Sequence, residues 1–550
     1  MFGGWAITFF FLVPLLFNDP ILNRDDLTLI NPLRDIKSLN EYLSKVKSGD
    51  ILDLQPVRDF SFVVNIKLSE LFGWNSFHWM NFGLWILLCL SVYQIMVLSG
   101  LSSNISTYLV FLFSIHPALL TSVMWISSRK HLLAAVFLLQ ATNLTLKCKA
   151  SAENPVSFRN RIVILFFYML SIFSQPIGIL WPVWAFTLDF YQRKKIRINK
   201  GWIAFYTALF SFCLFGIISN YRYYTSLAFN KYGGSKFVDS PDSIGVSILS
   251  AGRFFIQLLY PFKLAASYYP GVSINLIGIC LCIVFFVFSY KKIPKDTFLY
   301  WTLFFWFPVL TVTARMTNIF FFDTYLLLPA VGFFVILGNL FQCIKWPNIF
   351  HRAKMLFLLL TAGAFLFQTS IWAKAWQSYD ALWRHSYYSE PCPTSLNAYG
   401  RVLLNKGQFD EAFNVAYRLK EWEPQMPGLN WLFTISLYKA SHISASDKIK
   451  LLTDSGLNSA WVVYIQSSIH AENGDFVRAN ELLKQIWNLP DLQDIEPSKL
   501  AAEMEFMCTK VGDSYCDNIP GKVRKVSTKL PWLEEQYKKR ASDLGLKPKS

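Results

Sequence analysis

The 550-residue chain reads as an all-α polytopic membrane protein ending in a soluble helical tail, and three observations lead there. Hydrophobic residues make up 53% and charged residues only 16%, where a soluble chain carries about a quarter. Up to residue 373, apolar runs long enough to cross a bilayer recur. Residues 374–550 turn polar, with a helical pattern and enough length for a core of their own.

The formal net charge of +16 invites a nucleic-acid partner, but its placement argues against one. Much of it lies in four short clusters between spans: Lys147 to Arg161, Arg193 to Lys200, Lys291 to Lys295, and Lys345 to Lys354. Orientation rules put such clusters on the cytoplasmic side, so no nucleic-acid binding is expected.

Residues 2–17 are uncharged, lack a basic start and lead to no small-residue cleavage site, which predicts a retained first span. Residues 18–79 form an outer loop with amphipathic helices. Ile36, Leu39, Leu43 and Val46 recur at three and four residues, and a second segment follows the Gln55-Pro56-Val57-Arg58-Asp59 corner towards Phe72. Further spans are expected at about 80–99, 103–115, 131–147, 162–179, 181–190 and 202–219, then at about 273–290, 297–314, 323–342 and 355–373. The run 246–264 is interrupted by Arg253 and Pro261. All four basic clusters fall inside only if it does not cross, which leaves about eleven transmembrane helices. Residues 18–79, 220–272 and 374–550 then face outside. None of them carries an Asn-X-Ser/Thr sequon, which favours a bacterial inner membrane with a cytoplasmic N-terminus and a periplasmic tail.

The chemistry concentrates between His116 and Leu139. An apolar span ends at His116-Pro117, and the basic triplet Arg129-Lys130-His131 opens the next apolar run. Pro117 suits a first helical turn, where its missing N–H is not needed. Cations at a membrane boundary pair with the phosphate of a lipid carrier, or else snorkel as interfacial anchors. Of nine cysteines, most sit in or beside spans; Cys508 and Cys516 in the tail are close enough for a disulfide in an oxidising compartment. No Cys/His set has zinc-site spacing.

The tail repeats. Gly407-Gln408-Phe409-Asp410-Glu411-Ala412 is echoed by Gly474-Asp475-Phe476-Val477-Arg478-Ala479, about two 34-residue periods later. Leu396, Tyr399-Gly400, Leu403, Phe409, Ala412, Ala416 and Pro424 take tetratricopeptide positions, which predicts repeats at about 393–426, 427–459 and 460–493. Such stacks bind a peptide or protein along one face, or act as rigid spacers.

In this order the motifs resemble those of the transmembrane and tetratricopeptide-repeat O-mannosyltransferases, membrane glycosyltransferases of the GT-C fold that use polyprenyl-phosphate sugars. The resemblance spans nearly the whole chain. It rests on Phe17-Asn18-Asp19-Pro20-Ile21, Gln55-Pro56-Val57 with Arg58, and Phe77-His78-Trp79-Met80-Asn81. It continues through His116-Pro117, Trp125-Ile126 and Arg129-Lys130, then Ser174-Gln175-Pro176, Trp306-Phe307-Pro308, and Asp323-Thr324-Tyr325 with Pro329. The chain departs from the family where Asn18 precedes Asp19 in place of a second acid and where Thr121 replaces a Glu. Gln55, Gln175 and Thr324 stand where the family has cations.

The resemblance implies a polytopic GT-C domain over 1–373 and an outward-facing repeat domain over 374–550. It implies transfer of a sugar from a polyprenyl-phosphate donor to a secreted protein or glycan. Asp19 would be the base, with Asp25 or Asp26 as fallback, and Arg58, His116, Arg129 and Lys130 would serve the donor phosphate with His78 orienting a partner. No metal ligand set is assigned. The same departures imply an alternative, a catalytically degenerate relative that scaffolds an envelope complex through its repeats.

Overall fold

The computed structural model describes residues 2–17, 26–48, 55–72, 76–150, 158–192, 205, 207–211, 252–268, 272–313, 323–344, 351–486 except 425, 427, 458 and 459, and 510–511. All regular elements among them are helical. Asp19, Asp25, Cys508, Cys516 and most of the expected 202–219 span lie outside the described residues. The chain divides into two compact units, Met1–Glu390 and Pro391–Ser550.

In the first unit, five helical stretches among the described residues are long and apolar enough to cross a membrane. They are Phe77–Leu98, Ile126–Cys148, Asn275–Lys292, Asp323–Cys343 and Leu356–Ala375. A sixth is Ser103–Ser114 with Pro117–Met124, bent by 59°. The helices Phe2–Phe17, Phe158–Ser174 and Trp181–Gln192 have 16, 17 and 12 residues, short of the roughly 20 that a straight crossing needs. Leu276, Ile277, Ile283 and Val284, with Leu356, Phe357, Leu359 and Leu360, expose large apolar side chains along two of the long helices. Such faces belong against lipid.

The bend has a local cause. Pro117 cannot donate to the turn before it and pushes His116 to extended geometry (φ −68°, ψ 117°), so the first helix stops and a second begins with Pro117. Trp125 is extended again, a 3₁₀ turn covers Ile126–Ser128, and Arg129–Ala150 follows. Every residue from Pro117 to Arg129 is buried.

Neighbours pin this segment through side chains. Trp372 Nε1 donates to Thr121 Oγ1 at 2.9 Å, Thr369 Oγ1 to the Ile115 carbonyl at 2.8 Å, and Thr8 Oγ1 to the Ser114 carbonyl at 3.0 Å. Thr121 stands where the resemblance expects a Glu, and here it receives an indole N–H.

Residues 26–48 and 55–72, described after the first helix, contribute to one packed cluster. Ile30, Leu33, Tyr42, Phe62, Ile66 and Phe77 bury around Ile126, with Ile36, Val46 and Val63 at the edge. Leu39 and Leu43 remain exposed, so the stripe of four splits: its two ends pack and its middle does not.

Among the described residues the second unit shows three successive helix pairs: Pro393–Asn405 with Phe409–Trp422, Leu429–Lys439 with Ala445–Thr453, and Ala460–Glu472 with Phe476–Ile486. Cys392, a cysteine without an expected role, caps the first helix. Its Sγ accepts from Ser395 N at 3.5 Å, while Ser395 Oγ accepts from Cys392 N at 2.8 Å. Gly407 (φ 74°) and Gly474 (φ 81°) end helices in the left-handed region that favours glycine, which is why the echoed motif begins with glycine. At Gly400 a Cβ would lie 2.7 Å from Leu432 Cδ2, so the small residue permits close approach.

Candidate functional site

Two buried polar clusters occupy the first unit. The first is built on the short helix Asp26–Ile30, the helix Pro56–Phe72 and the turn Ile126–Ser128. Asp26 is buried, and its Oδ1 accepts from the Ser127 backbone N–H at 2.8 Å and from the Ser127 hydroxyl. A carboxylate at the turn leading into Arg129–Ala150 suits the positive end of that helix.

Arg129 is fully buried and spends its guanidinium on the protein. Nε donates to Asn81 Oδ1 at 2.8 Å, Nη2 to the Phe77 carbonyl at 2.9 Å and Nη1 to the Ser61 carbonyl at 3.3 Å. Its charge lies 4.6 Å from the Phe62 ring centroid. Asn81 in turn donates to the carbonyls of Val123 and Trp125 at 3.3 and 3.2 Å. This web ties three helices to one irregular turn.

Arg58 belongs to an adjoining web. It pairs with Asp59 at 2.6 Å, and its Nη1 donates to Gln55 Oε1 at 3.1 Å. Gln55 Nε2 donates to Gln175 Oε1 at 2.6 Å, and Tyr42 OH donates to Asp59 Oδ2 at 2.6 Å. Two positions where the resemblance expects cations are therefore amides bonded to each other. Asp59 and Tyr42 carry weight here without having stood out in the sequence; an acid beside an Arg in an amphipathic helix gave no distinguishing signal.

The remaining expected residues lie nearby but apart. His78 is buried beside the Val123 backbone in the first turn of Phe77–Leu98. His116 is buried with Nε2 3.2 Å from the Leu258 carbonyl and its ring edge-on to Phe365 at 4.8 Å. Lys130 is half-buried and makes no hydrogen bond or ion pair among the described residues. Next to it His131 is buried, edge-on to Tyr325 at 4.9 Å, with Nδ1 unbonded.

The second cluster joins the helix 252–259, the following loop to Tyr268, the 3₁₀ turn Asp323–Leu326 and the helix Tyr379–Ser389. Arg253 Nη1 meets Glu390 Oε1 at 3.2 Å, and the guanidinium lies 4.5 Å from the centroid of Tyr268. Tyr268 OH donates to Asp323 Oδ2 at 2.7 Å and accepts from Ala265 N at 2.9 Å. Burial pushes the Tyr268 phenol well up from its ordinary pKa, with the Asp323 carboxyl adding to the shift, so the phenol stays a donor. Ser386 Oγ accepts from Ala266 N at 2.9 Å, and Gln368 Nε2 donates to the Phe262 carbonyl at 3.2 Å. Arg253 inside an apolar run was the signal for this cluster, but its partners lie far along the chain.

Among the described residues no group of three His, Cys, Asp or Glu side chains stands close enough to hold a metal ion. Compared with protein-family models and with curated proteins, the chain matches none.

Proposed function

We propose that the chain is a GT-C-type membrane glycosyltransferase that moves a sugar from a polyprenyl-phosphate donor to a secreted or periplasmic protein or glycan. One observation carries the reading. The 116–131 segment, which bears the densest part of the motif order, is buried except at half-buried Lys130 and is hydrogen-bonded to Asp26, Asn81 and Trp372, while among the described residues the Lys130 ammonium has no hydrogen bond or ion pair. A braced polar segment beside an uncommitted cation suits a lipid phosphate.

In this reading Asp19 takes the acceptor's hydroxyl proton as the oxygen bonds to the anomeric carbon. The carrier phosphate leaves with the electron pair of the broken bond, and Lys130 offsets its charge. Arg58 and Arg129, with His78, hold the walls, and His116 sets the bend. About eleven crossings, a cytoplasmic N-terminus and a periplasmic tail in a bacterial inner membrane complete the proposal. The three helix pairs of the tail support its reading as tetratricopeptide repeats that bind an acceptor or a partner protein.

The test compares surface glycans and glycoproteins in strains carrying wild type, Asp19→Ala, Lys130→Ala and a deletion, at matched protein levels. Both variants are expected to reproduce the deletion's loss of one glycan. Full rescue of the deletion by Asp19→Ala would sink the catalytic reading.

A second reading has a specific observation in its favour. Gln55 and Gln175 satisfy each other where a phosphate cradle calls for cations. A family member that had lost transfer, acting as a membrane scaffold or assembly factor through its tail, would carry such a pair. Full rescue by Asp19→Ala together with capture of one envelope complex by the full chain is the outcome it expects.

A further inference from the structure

The second cluster leaves polar atoms unspent. Asp323 is 1% exposed, and among the described residues its Oδ1 has no hydrogen-bond partner; Thr324, fully buried, likewise leaves Oγ1 unbonded there. On the facing element, Arg253 Nε and Gln257 Nε2 are likewise unbonded, four residues apart on one helix face. The Tyr268 phenol joins the two sides, under the Arg253 guanidinium and on the Asp323 carboxyl. Buried polar atoms are nearly always paired, and an acid inside a membrane unit is costly unless it has work to do.

The mixture of groups narrows the ligand. A carboxyl beside an arginine disfavours both an anion and a simple cation. An acceptor oxygen, two N–H donors and a hydroxyl together match a neutral ligand whose hydroxyls both donate and accept. We propose that this cluster is a sugar subsite. The Asp323 carboxyl accepts hydrogen bonds from hydroxyls of a neutral hexose carried on the lipid donor, and Arg253, Gln257 and Thr324 complete the set. The ligand class rests on the glycosyl-donor reading given above.

The test uses the purified full-length chain in detergent. Binding of polyprenyl-phosphate mannose, polyprenyl-phosphate glucose and sugar-free polyprenyl phosphate is measured on wild type, Asp323→Asn and Tyr268→Phe. Asp323→Asn is expected to weaken binding of one sugar-bearing lipid at least tenfold and to leave sugar-free lipid unchanged. In wild type the same sugar-bearing lipid should shield Asp323 from an apolar carbodiimide, read from the mass of its peptide. This arm needs no variant, so misfolding cannot imitate it. Equal weakening for sugar-free lipid, or no shielding by either hexose lipid, overturns the subsite and leaves a carboxyl that serves buried water or the fold. The glycan test separates the two claims. Glycan loss in Asp19→Ala without shielding keeps the transferase and removes the subsite. Shielding without glycan loss keeps a sugar site on a protein that does not transfer.

Discussion

The two buried clusters of the first unit use similar groups and close differently. Around Arg58, the charge is met by Asp59, the carboxylate by Tyr42, and the amides by each other. Around Arg253, the phenol is met on both sides, but Asp323 Oδ1, Thr324 Oγ1 and Gln257 Nε2 are not. A network whose members satisfy one another rigidifies the fold; one with unspent atoms is poorer as glue and better placed for a ligand. The contrast separates polar groups that satisfy one another from polar atoms left unpaired among the described residues.

The largest expected effects break the closed network. Asp59→Ala removes a buried carboxylate paired with Arg58 at 2.6 Å and should cost roughly 3–5 kcal/mol. Arg129→Ala removes three hydrogen bonds from buried acceptors and should fall in the same range of about 3–5 kcal/mol. Both are read as lowered thermal midpoints and yields in detergent, and a change inside the scatter of surface variants would refute the closure argument.

A control in the second unit comes next. Gly407→Ala forces a Cβ into the left-handed region and should cost about 1–2 kcal/mol, followed by the helicity of the second unit. The Gln55–Gln175 bond sharpens the comparison at smaller scale. A double-mutant cycle with Gln55→Ala and Gln175→Ala should return a coupling of about 0.5–1.5 kcal/mol, and additive losses would dissolve the pair.

The smallest effect concerns pH. Asp410 accepts from His442 Nδ1 at 2.7 Å and from the Ser441 backbone and hydroxyl, each at 2.9 Å. The His442 bond first, then those from Ser441, pull its carboxyl down to about 2. Because the folded value is depressed, its contribution is present above the usual carboxylate value near ~3.9 and fades as pH falls towards about 2. Unfolding midpoints of wild type should therefore drop across that window more steeply than those of Asp410→Asn; parallel curves would count against the linkage.

How much of this was legible varies with the distance over which a residue acts. The helix break at His116-Pro117 could be read directly, because proline acts on its own turn. The echoed glycines could be read for the same reason. The site was legible only in part. Arg129 announced itself as a cation at a span boundary, yet its three acceptors come from residues 61, 77 and 81. Nothing local distinguishes a guanidinium that waits for phosphate from one that holds carbonyls. Arg253 stood out as a charge interrupting an apolar run, and Tyr268 and Asp323 as pieces of the resemblance, but nothing local showed that the phenol joins the other two.

By itself the sequence determined the helical class, the apolar helices of a membrane protein and the local stops at proline and glycine. These follow from hydropathy and backbone sterics, which act within a few residues. Only the tertiary structure decided which charges are spent. Arg58 and Arg129 are consumed by partners, whereas Lys130 and Asp323 keep capacity, because hydrogen-bond satisfaction is set by atoms brought together from distant parts of the chain.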